Sequence, residues 1–286
     1  MSYSLGPVIL RIFIIALGFL LVTSLWGFYI SVRPPRIVSS LTPGALDLSY
    51  EDVRFKTLDD LTLSAWFIPA ATSTTKTLIL LHGYPADKGD ILPSLAFLQK
   101  DFNLFFFDFR HLGASEGRYS TAGAKEVEDL LAAIRHLKSK GIEKVGIWGF
   151  SMGGAVALMS IPKAPEIKAV IAEASYASLD RMATELFKIP LLKYPLAFLI
   201  NLWAKIILRI DLREVSVVKA VQNTTIPVLL IHSSSDEVIP FSHARLLQKG
   251  LANNPQAEFW FQEGLSHGQL SMKHRTKIVN FFEKNL

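Results

Sequence analysis

Apolar and polar positions fall into three regimes along the chain. From Pro7 to Ile30 the run PVILRIFIIALGFLLVTSLWGFYI carries Arg11 as its only charge. At 1.5 Å rise per residue it matches roughly the 30 Å hydrocarbon core of a bilayer. No polar face interrupts it, which predicts a spanning helix rather than a half-buried core helix. Residues 31–45 then form a spacer with Pro and Ser and no period, following a tail at 1–6. From 46 to 286 the pattern is that of a folded domain. It opens with VRFKT and LTLSAWFIP, which alternate in polarity about Leu58-Asp59-Asp60 and predict an antiparallel hairpin. Six unbroken apolar runs follow, TLILLH, NLFFFDF, KVGIWGF, AVIAEA, PVLLIH and AEFWFQ. Strands without alternation belong to a sheet covered on both faces.

Helix-length segments at 89–100, 122–139, 152–160, 241–251 and 270–284 separate these runs. The expected fold class is therefore α/β, a doubly wound, mostly parallel sheet. One stretch breaks the rhythm. Between AVIAEA and PVLLIH, the segment LFKIPLLKYPLAFLINLWAKIILRI is too apolar for an exposed connection, and Pro190 and Pro195 interrupt it. It predicts a short helical cap insertion, about 178–220, over a pocket, with an amphipathic core helix as the alternative. Lys193, Lys205 and Arg209 argue against a second membrane segment.

Composition narrows the setting. The net charge of +5 is spread along the chain and builds no basic stripe, so no nucleic-acid partner is expected. With no cysteine, disulfides, thiolate metal sites and cysteine nucleophiles are excluded. Arg11 followed by IFIIALGFLLV also resembles the start of a signal peptide, but no small-x-small cleavage site follows. The segment reads as a retained single-pass N-terminal anchor, flanked by Trp26, Tyr29, Arg33 and Arg36. Arg11 on one side balances Arg33 and Arg36 on the other, so the side of the membrane facing the domain stays open, as does the oligomeric state.

The sharpest local signal is Gly149-Phe150-Ser151-Met152-Gly153, a G-x-S-x-G between an apolar strand and a helix-forming run. Such a turn exposes a serine hydroxyl in strained backbone, with small residues on either side to avoid collision. That hydroxyl needs a base, and the base needs an acid to hold its tautomer. Asp236 follows PVLLIH and His267 follows AEFWFQ, so Ser151, Asp236 and His267 stand in the chain order expected of this fold. Glu173, at the end of AVIAEA, competes for the acid, with Glu237 a minor rival expected to face solvent; His274 and His243 compete for the base. The backbone N–H groups of Tyr84, after His82-Gly83, and of Met152 are the expected oxyanion donors. His82 itself is expected to bond neighbouring loops. No cofactor and no metal are implied.

The motifs HGYPADKGD, FFDFRHLGASEG, GFSMGG, IHSSSDEVIP and LSHG, in that order, resemble α/β-hydrolases over about residues 50–286, and within them the single-anchor, Bem46-like serine hydrolases. The resemblance implies an esterase-like or acyl-hydrolase activity carried by Ser151, Asp236, His267, Tyr84 and Met152. Two departures stand out. His111-Leu112 replaces the Gly-x of D-x-R-G-x-G, and Ser233 replaces Gly after His232. Both bear on substrate preference more than on catalysis. Arg110, Ser115 and Gly117 are expected to shape their loop, with substrate contact as the alternative.

The expected reaction is cleavage of an ester or thioester through an acyl-enzyme, with a small-molecule acyl or lipid-like substrate drawn from the membrane. A peptidase or amidase on the same fold is the first alternative. A catalytically silent binding protein is the second.

Overall fold

The computed structural model describes residues 5–187, 192–269 and 272–286. The chain begins with helix α1 (Leu5–Val32), two residues longer at each end than the apolar run predicts. Strands β1 (Glu51–Lys56) and β2 (Thr62–Ile68) form the expected antiparallel hairpin. Then come β3 (Thr77–Leu81), helix α2 (Lys88–Leu95), β4 (Asn103–Phe107), α3 (Glu126–Ser139), β5 (Val145–Phe150), α4 (Met152–Ser160) and β6 (Ile167–Glu173). The insertion carries α5 (Leu179–Glu185), α6 (Lys193–Trp203) and α7 (Val217–Val221). The chain closes with β7 (Val228–Ser233), α8 (Phe241–Gly250), β8 (Ala257–Gln262) and α9 (Met272–Asn285).

The strands make one sheet in the order β1-β2-β4-β3-β5-β6-β7-β8, parallel from β4 onward. Successive side chains point to opposite faces of a strand, so each unbroken apolar run feeds two cores. Leu78, Leu80, Phe106 and Trp148 pack with Leu92 of α2 and Phe282 of α9. Ile79, Leu81, Phe105 and Ile147 pack with Leu130 of α3 and Val156 of α4 on the other side. Strand order reverses at β3, which lies between β4 and β5. The loops leaving β3 and β5 therefore converge at the carboxyl edge, where open α/β sheets place their sites.

Two helices differ from expectation at their starts. The predicted 122–139 helix begins only at Glu126, because the Glu126 carboxylate accepts hydrogen bonds from the backbone N–H groups of Thr121 (2.7 Å) and Gly123 (2.9 Å). These bonds hold the preceding residues in a loop that a helix would abolish. The predicted 89–100 helix is α-helical only through Leu95 and tightens to a 3₁₀ turn over Ala96–Lys100. Residues 270 and 271 of the last predicted helix, residues 1–4 of the tail, and Pro190 within the predicted cap lie outside the described residues.

The insertion is helical and clamped at its base. Val217 donates to the Ala177 carbonyl at 3.0 Å and Leu179 to that of Val215 at 3.1 Å. Pro195 sits in the first turn of α6, where a missing N–H costs nothing. α6 packs against α1. Along its length α1 is largely solvent-exposed, and only Phe28 and Val32, at its foot, are buried in the domain.

Candidate active site

Ser151 lies between β5 and α4 with φ +54° and ψ −115°, a backbone conformation rarely adopted by L residues. The strain is held by close packing around it. A Cβ on Gly149 would lie 2.5 Å from the Gly153 carbonyl carbon, and one on Gly153 would lie 2.6 and 2.7 Å from the carbonyl oxygens of Leu81 and His82. Only glycine lets the turn close against β3. The Ser151 N–H donates to the Glu173 carbonyl at 2.8 Å, tying the elbow to the neighbouring strand end. Its side chain caps no helical N–H, so the hydroxyl is available for another partner.

That partner is His267, in the loop after β8, with Nε2 3.1 Å from Ser151 Oγ. Its Nδ1 is 2.7 Å from Asp236 Oδ2, in the loop after β7. Asp236 Oδ1 in turn accepts from the backbone of Val238 at 2.9 Å and Ile239 at 2.8 Å. Burial alone would raise the Asp236 pKa, but the His267 hydrogen bond and these backbone donors hold it below the usual carboxylate value. The Phe150 ring lies against the imidazole at 4.7 Å between centroids. Glu237 is exposed, and its carboxylate receives the His267 backbone N–H at 3.2 Å, a supporting contact that its sequence position did not reveal.

The residues of both predicted donors adjoin the elbow. Met152 is the first residue of α4, so its N–H has no partner within the helix. A Cβ on Gly83 would lie 3.3 Å from the Ser151 Cβ, which puts the peptide leading to Tyr84 beside the elbow. The Tyr84 hydroxyl donates to the Ser31 carbonyl in the last turn of α1. Burial, and then the charge of Glu126, push its pKa to about 12.

His82 bonds neighbouring loops, and the side chains of the rival residues His243, His274 and Glu173 meet partners other than Ser151. His82 is buried, its Nε2 accepting from the Phe109 N–H at 3.1 Å, which makes Nδ1 the donor to the Gly83 carbonyl at 2.7 Å. Burial lowers its pKa and keeps the ring neutral. His243 Nδ1 accepts from the Ala177 N–H at 2.8 Å while Nε2 meets Glu185 of α5 at 2.6 Å, pinning the base of the insertion. His274 is buried, its ring tilted against Trp260 at 4.7 Å between centroids, with Nε2 3.8 Å from Glu173 Oε1. Glu173 is not joined to His267 by any hydrogen bond among the described residues. Burial raises its pKa to about 8, so at neutral pH it is largely protonated. A cavity of about 20 Å³ separates it from Asp236 and His232. No group of residues suited to a metal ion occurs among the described residues.

The loop after β4 accounts for one departure from the resembled pattern. His111 adopts φ +66°, a conformation that favours the glycine it replaces, and its Nε2 lies 3.3 Å from the Pro34 carbonyl in the spacer. Arg110 is hydrogen-bonded to Asp129 (2.6 Å) and Asp59 (2.9 Å), and Ser115 Oγ donates to the Asp108 carbonyl at 2.6 Å. Both residues shape the loop, as expected.

The family model for the prolyl oligopeptidase family matches residues 114–286. The α/β hydrolase domain-containing protein WAV2 of Arabidopsis thaliana is 30% identical over 242 residues, covering 81% of this chain and 77% of that protein. Protein bem46 of Schizosaccharomyces pombe is 28% identical over 269 residues, covering 91% of this chain and 84% of its own. Among solved structures, the Pyrococcus furiosus esterase Pf2001 superposes with a TM-score of 0.74 at 28% identity, covering 89% of this chain and 99% of the esterase.

Proposed function

The chain belongs to the prolyl oligopeptidase family of α/β-hydrolases, and from that premise we propose that it is a membrane-anchored serine hydrolase that cleaves esters or thioesters of acyl or lipid-like substrates. The observation that carries the reading is the continuous line from Ser151 Oγ to His267 Nε2 (3.1 Å) and from His267 Nδ1 to Asp236 Oδ2 (2.7 Å).

In the proposed reaction Ser151 Oγ attacks the substrate carbonyl while His267 Nε2 takes its proton. Asp236 holds the imidazole with the other nitrogen protonated and stabilises the imidazolium that results. The N–H groups of Tyr84 and Met152 face the oxyanion, each worth roughly 2.7–4 kcal/mol of barrier. Collapse breaks the bond to the leaving group, which receives the proton from His267. Water, deprotonated by the same imidazole, then cleaves the acyl-serine and restores the hydroxyl.

The anchor assignment is supported by α1 being 28 residues long, with a mean hydropathy of 2.6 in its most apolar stretch and none of that stretch buried. A core helix would be covered. A cleaved leader is disfavoured by the foot of the helix, where Val32 accepts from the Ser120 N–H at 2.9 Å and Phe28 is buried. Removing the segment would strip those contacts.

Ester chemistry is favoured over peptide chemistry by the end-to-end likeness to an esterase. The test is fluorophosphonate labelling of the full chain, which is expected for the native protein and lost in Ser151→Ala. Absence of labelling in a folded, native chain would refute the nucleophile. Turnover of a long-chain p-nitrophenyl ester above that of the acetate supports an acyl-chain substrate. Preference for a peptide amide would replace the ester reading with the peptidase one.

A further inference from the structure

We propose that the cap helix α6 lies in the interfacial layer of the same bilayer that α1 spans, so that the insertion is seated on lipid. The inference rests on the anchor reading of α1 and extends it to a second segment. Its first support is where α6 touches α1. The Trp203 indole N–H donates to Ser24 Oγ at 3.1 Å. Ser24 precedes the buried foot at Val32 by eight residues, or about 12 Å along a helix at 1.5 Å each. A span that leaves the hydrocarbon near that foot carries Ser24, and the helix bonded to it, below the membrane surface.

The second support is the surface α6 leaves uncovered. Leu199 is buried and Trp203 faces α1. Tyr194 and Phe198, four residues apart and rotated largely to the opposite side, are 65% and 67% exposed. Ile206 beyond the helix and Leu186 before it are 61% and 63% exposed. Large apolar side chains this open, continuous with an exposed apolar helix, match an interfacial helix that sinks about 5–10 Å into the headgroup and acyl boundary.

Two of the three charges that argued against this from the sequence, Lys205 and Lys193, are accommodated, and the exposed Arg209 lies past the end of α6. Lys205 is paired with Asp211 at 2.7 Å. The Lys193 ammonium sits 4.8 Å over the Tyr194 ring, at the helix end, where its stem can lie in the apolar layer with the charge among headgroups. α5, on the same insertion, is bonded through Glu185 to His243. Seating α6 in lipid therefore holds the cap in a fixed relation to the bilayer.

The chain has no cysteine, so single labels can be placed without removing any. The full chain carrying Phe198→Cys, Ile15→Cys or Lys163→Cys is labelled with the environment-sensitive fluorophore NBD. Each is reconstituted in vesicles of phosphatidylcholine with a minority of phosphatidylglycerol, with or without lipids bearing a nitroxide near the headgroup. Expected is a blue-shifted label at position 198 that loses about half or more of its emission to the shallow nitroxide, as befits a depth of about 5–10 Å. The label on exposed Lys163 should remain water-like. A water-like, unquenched label at 198 beside a blue-shifted one at 15 overturns the proposal while leaving the anchor intact. A blue-shifted but unquenched label at 198 overturns it in favour of cover by protein, such as a second copy. Loss of membrane signal at 15 overturns both. Fluorophosphonate labelling of Ser151, read on the same samples, reports the hydrolase separately.

Discussion

Asp236 holds His267 through one carboxylate oxygen, at 2.7 Å, and spends the other on the backbone N–H groups of Val238 and Ile239. The carboxylate is thus oriented before the imidazole meets it. In Asp236→Asn the amide can present an N–H to Nδ1 and favour the wrong tautomer. The expected outcome is a fall in kcat of about 10⁴-fold, with labelling of Ser151 correspondingly slowed and the fold retained. Glu173→Gln serves as the comparison. If it cost as much as Asp236→Asn in ester kinetics, the acid would have to be reassigned.

Glu173 supplies a pH signature of its own. Its pKa is raised from 4.5 to about 8 by burial. Between those values the folded chain keeps a proton that the unfolded chain has lost. Stability changes with pH in proportion to protons bound unfolded minus protons bound folded, which is negative here. This group therefore makes stability fall as pH rises from about 4.5 to about 8, and contributes no further slope above that range. Denaturant midpoints of the full chain in detergent, measured across this window, should show that decline. In Glu173→Gln, which cannot ionise, this component should vanish.

The elbow has no room to spare. Gly153→Ala would push a methyl to within 2.6 and 2.7 Å of two backbone carbonyls of β3 and the loop after it, neither of which can swing away as a flexible side chain would. Overpacking of this kind typically costs about 1–3 kcal/mol, and more where only backbone can yield. The thermal midpoint should drop, and labelling of Ser151 should fall as the turn opens. Gly141→Ala, where no atom lies within 4 Å, is the matched control for packing, although its φ of +85° carries a strain of its own.

What could be read in advance followed locality. Six of the eight strands announce themselves as short apolar runs and the first two as an alternating hairpin, and Ser151, Asp236 and His267 lie in the turns just after such runs, so chain order sufficed to nominate them. The late start of α3 was hidden because it depends on the Glu126 carboxylate turning back on Thr121 and Gly123, while periodicity alone favoured extending the helix. Glu173 and Asp236 are equivalent in pattern, each an acid at or just after a strand's carboxyl end. Only their surroundings separate them, Glu173 buried beside His274 and Asp236 hydrogen-bonded to His267. The contacts of α1 with Tyr84, Ser120 and Trp203 join positions far apart in the chain, and no local pattern encodes them. The same distance concealed the packing of α6 against α1.

Beneath the loop that carries His111, Lys88 and Asp108 form an ion pair at 2.6 Å with both side chains almost fully buried. Asp108 also accepts from the backbone N–H groups of Lys88 at 2.8 Å and Ala114 at 2.9 Å, and the Lys88 ammonium lies 4.5 Å over the Trp66 ring. Lys88→Met keeps the bulk of the stem but leaves the Asp108 charge with two backbone donors and no cation. Breaking a buried pair from one side costs about 3–5 kcal/mol, because the remaining charge stays desolvated. The exposed pair of Lys56 and Asp60 has the same 2.6 Å separation but side chains 65% and 81% exposed. Solvent screening weakens such a pair, so Lys56→Met should barely move the unfolding midpoint. Denaturant titration of the two variants side by side checks this, and equal losses would show that burial does not set the worth of the Lys88–Asp108 pair.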